Sequence, residues 1–509
     1  MAVGPDNGTI MMETPPTAPD TIAPAEAVLC RPWPRHLLSQ ADWTATAQAA
    51  AAQSRILLAH WADRAEVHAL FLDLDASGAV AVSTAVEAGR YPALSPVLPA
   101  DALYERMIHD LFGHVAAGAA DLRPWLDHGT WPASFPMAPK PNARGPQPDP
   151  AGSDDHDMVL PIGPIHGLIE GAGHLRLTLA GPVIRRAEAR LGFTHKGTMA
   201  LMRGKSPRNA ARFAARLSAD STVAHSLAFA AATEAAMQIA APPRAERLRV
   251  IMLEAERIAG HLDTLAEIGR LAGDRSVWTE SGALREILLR ACHQAFGHRL
   301  MMDCVVPGGV AADIAAGGDT ALHRALGELS ARLPAVRRWH EDPPLASRLS
   351  GLGCASGATA ASFGVGGVVG RAGGRAFDVR AGLMPAYRDL PPAPAAGTAG
   401  DAAARQAVRL SEIENSLRLI DAALETLPAG PIGLALPQAS GEGIACAESI
   451  RGDVWHWLRI DHGQIAAAFP RDPGWALWPL AEAVLRDAMA EDAALIETSF
   501  TLPVSGVDL

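Results

Sequence analysis

The sequence has few cysteines, and none of them stand close together. Its 509 residues include five, and no two lie closer than twelve positions: Cys30, Cys292, Cys304, Cys354 and Cys446. Cysteines two residues apart are the usual ligands of structural zinc and iron–sulfur clusters, and dithiol redox sites use the same spacing. The chain therefore carries no such site, and the odd cysteine count favours a reduced, cytosolic protein.

An excess of basic residues and a long apolar run are also lacking. The 44 Lys and Arg against 55 Asp and Glu give a net charge of −11, which excludes nucleic acid as a main partner because phosphate binding needs a basic surface. The N-terminus lacks the basic-then-apolar layout of a signal peptide. The longest uncharged run, residues 351–370, is too rich in Gly, Ser and Ala for a membrane helix. We expect a soluble chain that can sit on a membrane partner.

The chain divides at one clear boundary. A protein of 509 residues folds as more than one domain, because a single hydrophobic core stops growing well below that length. Residues 136–157 are rich in Pro, Gly and Asp, which is typical of a linker. We therefore expect one domain over residues 36–135 and a second over residues 158–509. The Pro-, Ala- and Thr-rich residues 1–35 indicate a disordered lead-in.

The predicted elements make this an α+β protein, with a small N-terminal α/β domain before a large, mainly α-helical one. Residues 37–64 have a helical pattern, and residues 66–86 alternate like two strands joined by a turn. Residues 174–192 predict a β-hairpin, whereas long amphipathic helices dominate residues 206–300. Another helix is predicted over residues 401–427.

One helical segment presents polar groups where burial is expected. In "RLSADSTVAH", residues 216–225, Ser218, Ser221 and His225 are spaced i, i+3, i+7. On a helix this spacing places the three side chains along one stripe, and the alanine-rich surroundings favour a buried helix. A serine hydrolase is not indicated, because the chain contains no GxSxG nucleophile elbow.

Two further motifs favour structural roles over chemical ones. Glu254, Arg257 and His261 share a helix face at i, i+3, i+7, which favours a charge-compensated network between helices, with a functional cluster as the alternative. The glycines of "FGVGGVVGRAGG" do not form the GxGxxG of a dinucleotide-binding loop. A tightly packed backbone loop is expected there instead.

Taken in order, the motifs resemble the large-subunit family shared by energy-converting NiFe hydrogenases and the 49-kDa subunit of respiratory complex I. The segment "LPIGPIHGLIEGAGHLRLTLAG" looks like that family's entry motif, and "ESIRGDVWHWL" looks like its EAPRG stretch. Upstream of the linker, "ERMIHDLFGHVAAGAADLRPWL" is similar to the signature of the 30-kDa complex I subunit. The fusion of both modules resembles the large subunits of formate hydrogenlyase and hydrogenase-4, and the resemblance covers residues 60–509.

The resemblance also shows which ligands are missing. In the hydrogenases of the family, two CxxC motifs hold the nickel–iron centre; here Ser218 and Ser221 stand at the first cysteine pair, and Leu502 and Ser505 at the second. Nickel and iron need soft, ionised sulfur, whereas serine stays protonated at neutral pH and leucine has no donor atom. These degenerate metal-ligand positions predict that the NiFe centre is absent and that the chain binds no metal.

What the resemblance implies instead is a polar pocket. Its candidate catalytic residues are His166, His225 and Arg451, with the histidines supplying protons near neutral pH. The pocket would take a quinone or another small acceptor, although the quinone-contacting tyrosine of the complex I branch corresponds to Ala219 here. No cofactor is expected in this chain itself.

The family resemblance further implies a cellular location and a set of partner subunits. We expect a peripheral-arm subunit of a membrane-bound, hetero-oligomeric oxidoreductase complex, on the cytoplasmic, inner face of the cell membrane. Its expected partners are a small iron–sulfur subunit with a 4Fe-4S cluster and antiporter-like membrane subunits. Two alternatives stay open: a redox-silent scaffold coupling conformational change to an ion-translocating module, and an active hydrogenase, which the missing thiolates argue against.

Overall fold

The computed structural model describes residues 26–52, 55–73, 78–129, 131–140, 158–165 and 171–509. Three predictions therefore lie outside the described residues: the first part of the lead-in, the linker beyond residue 140, and the position of His166. In the described part, none of the helices combines the length and the apolar composition that crossing a membrane requires.

The N-terminal region forms a five-stranded sheet in the order β1-β3-β6-β5-β4. Its neighbouring strands are antiparallel, except that β3 runs parallel to β6. The elements of this region are β1 (Glu26–Val28), β2 (Cys30–Arg31), β3 (Arg35–Leu38), α1 (Gln40–Ala52), β4 (Ile56–Ala62), β5 (Glu66–Leu72), β6 (Ala79–Ala85), β7 (Arg90–Pro92), α2 (Ala102–Phe112) and β8 (Val115–Ala117).

Strands β4, β5 and β6 are buried along almost their whole length. The helices α1 and α2 pack against β6 and β4. From the second domain, Phe469 stacks on Trp61 with 5.4 Å between the ring centroids, and Trp457 packs beside them. The small sheet therefore has both faces covered, which is why even the polar side chains His60, His68 and Ser83 on its strands are buried.

The second domain begins with the antiparallel sheet β11-β10-β9 and continues as helices around a second sheet. Its elements are β9 (Met158–Ile162), β10 (His174–Ala180), β11 (Val183–Arg190), α3 (Thr198–Met202), α4 (Pro207–Ala214), α5 (Thr222–Met237), α6 (Pro243–Ala272), α7 (Arg275–Phe296), β12 (Val305–Val306), β13 (Gly309–Val310), α8 (Gly318–Glu341), α9 (Pro343–Leu349), α10 (Gly357–Ser362), α11 (Gly367–Ala372), α12 (Ala402–Glu425), β14 (Gly441–Glu448), β15 (Asp453–Asp461), β16 (Gln464–Arg471), α13 (Gly474–Leu485) and α14 (Ala493–Phe500).

Helix α6 is the central element of the second domain. It is 30 residues long and contacts α5, α7, α12 and α14. Pro243 occupies its first position, where the missing N–H costs nothing, and Gly273 ends it at φ 80° in the left-handed region. Most of its residues between Leu248 and Gly269 are buried, so this helix can place side chains on several neighbouring surfaces at once.

The N-terminal segment is built into the second domain. Strand β2 pairs in parallel with β14 at Cys30 and Arg31, and the antiparallel order continues through β15 and β16. The Nε and Nη2 atoms of Arg35 each donate to Glu442 at 2.9 Å. The predicted disordered lead-in over residues 1–35 is therefore wrong at its C-terminal end, because residues 26–31 form strands that gain backbone partners.

The predicted α+β class is confirmed. The strand pair over residues 66–86 and the hairpin over 174–192 are confirmed as β5–β6 and β10–β11. The helix predicted over residues 37–64 is wrong beyond α1, because "ILLAHWA" is strand β4. A short run that is buried on both faces has no alternation to separate strand from helix.

The sheet β14–β16 packs against α5 with no room for a side chain at Gly443. A Cβ there would lie 2.1 Å from the backbone oxygen of Ala232, whereas a Cβ at Gly282 in α7 would meet nothing within 4 Å. We expect Gly443→Ala to lower the free energy of unfolding by about 1–3 kcal/mol. Gly282→Ala should raise it by about 0.5–1 kcal/mol through helix propensity. Urea unfolding of both variants tests this, and equal stability of the two would contradict the packing described.

Candidate functional site

The stretch of residues 216–225 is not one helix. Ser218 is extended, residues 219–221 form a single 3-10 turn, and α5 begins at Thr222. The predicted helical stripe through Ser218, Ser221 and His225 is therefore wrong. Its physical reason is local: the Ser218 hydroxyl donates to Asp220 Oδ1 at 2.7 Å, and such side-chain bonds near a helix start compete with helical backbone pairing.

A cavity of about 360 Å³ lies beside this turn. Its walls are formed by five parts of the chain: residues 218–220, helix α6, residues 450–451, helix α14 and residues 501–505. Four of the positions singled out in the sequence line it, namely Ser218, Arg451, Leu502 and Ser505. Ser221 is buried directly behind the lining. The structure thus brings together the two pairs of positions that the sequence predicted as degenerate metal ligands, although they are almost 300 residues apart in the chain.

Arg451 connects the walls of the cavity. Its Nη1 donates to Asp220 Oδ1 at 2.8 Å and to the Ser221 hydroxyl at 3.2 Å, and its Nη2 donates to Asp220 Oδ2. Its Nε donates to the carbonyl oxygen of Thr501 at 2.6 Å. Burial alone would raise the pKa of Asp220, but the Arg451 guanidinium and the Ser218 hydroxyl hold that pKa below its usual value.

Glycines allow Arg451 and its neighbours to lie this close to the rest of the domain. A Cβ at Gly367, which opens α11, would lie 2.1 Å from the backbone oxygen of Arg451. A Cβ at Gly260 in α6 would lie 2.6 Å from Ile450 Cγ2. The loop predicted around Gly364 as a tight backbone contact is confirmed, since a Cβ at Gly364 would lie 2.6 Å from the oxygen of Leu57.

The last residues of the chain are held against the entry to the second domain. The Asp508 carboxylate accepts from the backbone N–H groups of Gly192 and Thr194 at 2.6 and 2.8 Å. Lys196 Nζ donates to the carbonyl oxygen of Ser505 at 2.7 Å. Burial lowers the pKa of Lys196, against the attraction of Asp508. These contacts fix the 501–505 wall of the cavity, and no spacing pattern in the sequence predicts them.

His225 is completely buried and does not line the cavity. Its Nδ1 lies 3.1 Å from His456 Nε2, and its Nε2 lies 3.1 Å from Asp472 Oδ2. Burial and the neighbouring His225 lower the pKa of His456, so that imidazole is neutral at pH 7. A Cβ at Gly506 would lie 2.2 Å from Asp472 Oδ2. The His456–His225–Asp472 row therefore packs directly against the C-terminal segment.

The network predicted around Glu254, Arg257 and His261 is confirmed as an internal one. Arg257 Nη2 and His261 Nε2 both contact Glu412 Oε2, the second at 2.9 Å. Glu254 accepts from Arg380 at 2.9 Å. Each of these residues is at most 2% exposed, so the charges compensate one another within the protein.

One cavity residue was not singled out in the sequence. Glu497 of α14 lines the cavity, is 3% exposed, and neither of its carboxylate oxygens has a hydrogen-bond partner among the described residues. Burial raises the pKa of Glu497 to about 7. A signal was present, because "AALIETSF" is an apolar helix with one acid, but only the fold shows that this acid faces a cavity.

Apart from the guanidinium group of Arg451, the polar groups at the cavity are hydroxyls, carboxylates and backbone groups. None of the five cysteines lines it. Within the described residues, one group of side chains has metal-like spacing, Asp63, Glu66 and His68, and it lies elsewhere. Arg459 and Arg35 pair with its two acids at 2.6 and 2.9 Å, so cationic groups already occupy that cluster.

Comparison with known proteins agrees with this organisation. Residues 272–438 match the family described as "Respiratory-chain NADH dehydrogenase, 49 Kd subunit", and residues 35–147 match "Respiratory-chain NADH dehydrogenase, 30 Kd subunit". The cavity walls, at residues 218–267 and 450–505, lie outside both matched segments. The residues that match the two family descriptions are therefore different from the residues that line the cavity.

Three relatives show the range of similar proteins. Formate hydrogenlyase subunit 5 of Escherichia coli is 29% identical over 82% of this chain and 77% of its own length. Hydrogenase-4 component G of the same organism is 27% identical over 84% and 79%. The NADH dehydrogenase [ubiquinone] iron-sulfur protein 2 of Arabidopsis thaliana is 30% identical over 54% of this chain and 71% of its own.

Replacing Asp220 by Asn tests the ion pair at the cavity. We expect Asp220→Asn to lower the free energy of unfolding by about 2–4 kcal/mol, because Arg451 would keep a buried charge without its carboxylate. The matched control is Asp303→Asn, whose pair with Arg216 is nearly half exposed on both sides and should cost about 0–1 kcal/mol. Chemical unfolding of both variants measures the difference, and equal losses would show that the Arg451 pair is not special.

Proposed function

This chain belongs to the 49-kDa-subunit family of respiratory-chain NADH dehydrogenase, and we propose that its cavity binds a quinone or another small, neutral acceptor. The chain carries a fused 30-kDa-subunit domain and is a subunit of a complex I-like or group 4 hydrogenase-type complex. In this proposal the cavity replaces the nickel–iron centre of the hydrogenase branch. The complex would be an oxidoreductase, with this subunit providing the acceptor site.

One observation carries the proposal: the positions that resemble metal ligands converge on a cavity where the atoms able to coordinate a metal are oxygens, beside the Arg451 guanidinium. Hydroxyl groups and leucine do not bind nickel or low-valent iron as thiolates do. These residues therefore do not fit a nickel–iron centre. A volume of about 360 Å³ is at the low end of the range of small-molecule sites, about 300–1,000 Å³, and suits a single substituted ring.

The charges at the cavity favour an uncharged ligand. Asp220 is paired with Arg451, Asp263 lies 3.3 Å from Arg285, and Glu267 pairs with Arg270. The donors of Arg451 described above already point at protein oxygens. An anion would meet carboxylates whose cations are occupied, and a quinone carbonyl needs only a neutral donor.

We assign different roles to the residues predicted from the sequence. Arg451 shapes the cavity and fixes the walls formed by Asp220 and Thr501, and Ser218, Leu502 and Ser505 form its surface. The role of His225 is indirect: it positions Asp472 and the C-terminal segment, and it is not a direct proton donor. The role predicted for His166 stays a prediction.

We also propose the surroundings that the family implies. The chain would bind a small subunit that carries a 4Fe-4S cluster, beside antiporter-like membrane subunits at the inner face of the membrane. Electrons would come from the partner's cluster, since this chain has no cysteine pair to hold one.

A redox-silent coupling scaffold is the second candidate, and the buried network favours it. Arg371 contacts both Glu412 and Glu448, and burial with the neighbouring Asp378 raises the pKa of Glu448 to about 7, against the attraction of Arg371. A carboxyl group that titrates near neutrality inside an ion-pair network can exist in two charge states. Such a network could pass a conformational change to a membrane partner.

Filling the cavity tests the acceptor site. In the purified complex we expect saturable binding of decylubiquinone by equilibrium dialysis, and Leu502→Trp should weaken it at least tenfold (about 1.4 kcal/mol) because the indole would occupy the space for the ring. The matched control is Leu201→Trp, at a residue that is 44% exposed and does not line the cavity. Unchanged binding in Leu502→Trp, or no binding by the wild type, would contradict the acceptor site.

The scaffold predicts a different pattern in the same preparations. The wild-type complex would bind no quinone, Leu502→Trp would leave turnover of the complex unchanged, and Glu448→Gln would abolish turnover. If the acceptor site is correct, Leu502→Trp loses turnover together with binding. Assembly of each variant complex, measured by size-exclusion chromatography, separates these effects from misfolding.

A further inference from the structure

We propose that Glu497 is the hydrogen-bonding anchor for the ligand of the cavity, and that this ligand presents a carbonyl oxygen to it; the inference rests on the proposed function above. Glu497 belongs to α14 and is not one of the positions that resemble metal ligands. It would fix the orientation of the bound ring, not carry out a redox step.

The geometry gives Glu497 no other task. Its side chain lines the cavity and is 3% exposed, yet both carboxyl oxygens lack a hydrogen-bond partner among the described residues. A buried carboxyl group without partners is destabilising, because it loses its hydrogen bonds to water. Groups left in this state are expected to find a partner in a ligand or in bound water.

Among the described residues, no charged side chain donates a hydrogen bond to Glu497. The charged side chains at the cavity and on the elements packed against α14 include Asp263 and Glu267 of α6, Arg405 and Arg409 of α12, Glu482 of α13, and Asp220 and Arg451. Each of them has a partner other than Glu497: the first two pair with arginines, the α12 arginines bond Ser499, Glu482 accepts from Ala189, and Asp220 pairs with Arg451.

Burial raises the pKa of Glu497 to about 7, so a large fraction of the side chain is protonated at neutral pH. A protonated carboxyl has one O–H donor, which suits a carbonyl acceptor, whereas the ionised form has acceptors alone and would repel it. The hydrogen bond from Glu497 to the ligand is therefore present below pH 7 and is lost as the pH rises above 7.

The test uses the assembled complex, decylubiquinone as the probe, and three variants. For the wild type, affinity should fall about tenfold between about pH 6 and pH 8, as the donor ionises. Glu497→Gln should bind within about threefold of the wild type at pH 6 and show no such fall, because an amide donates and accepts but cannot ionise. Glu497→Leu should bind about tenfold more weakly at pH 6. The control Glu491→Leu, at an exposed position just before α14, should behave as the wild type.

Two results would overturn the anchor while leaving the acceptor site in place: Glu497→Leu binding as tightly as the wild type, or Glu497→Gln keeping the wild-type pH dependence. Absence of saturable binding by the wild type at both pH values would reject the acceptor site itself, and the anchor with it. Infrared difference spectra of the ligand-free complex give a readout that folding alone does not move. Because Glu448 also has a pKa of about 7, the spectrum of Glu497→Gln is subtracted from that of the wild type. The subtraction should leave one protonated-carboxyl band that titrates near pH 7, and a subtraction without such a band would reject the assignment.

Discussion

The candidate site depends on the guanidinium group of Arg451. It bonds Asp220 and Ser221 on one side and the carbonyl oxygen of Thr501 on the other, and so joins two segments that are far apart in the chain. Glycines at 260 and 367 let the backbone around residue 451 lie against α6 and α11. The Arg451 guanidinium is buried, and its ion pair with Asp220 fixes the walls of the cavity, with further hydrogen-bond partners to offset its desolvation.

Around this pair, the C-terminal segment is fixed by contacts with the rest of the second domain. Asp508, Lys196 and the His456–His225–Asp472 row hold it in place. The relatives include formate hydrogenlyase and hydrogenase subunits as well as NADH dehydrogenase subunits. The chain is thus similar to subunits of several different enzymes. Its function therefore has to be argued from the cavity and not from the fold.

The sequence predicted the class of the fold and several elements, but not the way the site is built. Alternation identified β5, β6 and the β10–β11 hairpin, because each has one periodicity over enough residues. It failed at β4, which is apolar on both faces, and at residues 216–225, where Ser218 and Asp220 form a turn before α5. Motif resemblance identified Ser218, Arg451, Leu502 and Ser505, all of which line the cavity. Asp220, Lys196 and Glu497 were missed because their partners, or lack of them, exist only in three dimensions, and the same is true of the burial that removes His225 from the lining.

The central claim is that a hydroxyl- and carboxylate-lined cavity, held by Arg451, stands where the hydrogenase branch holds nickel and iron. Its most direct test is the nickel content of the complex, purified from cells grown with ample nickel and measured by inductively coupled plasma mass spectrometry per copy of this chain. Iron is not informative here, because a partner's cluster would supply it. The account predicts nickel far below one atom per chain. One nickel atom bound per chain, retained through purification, would contradict it.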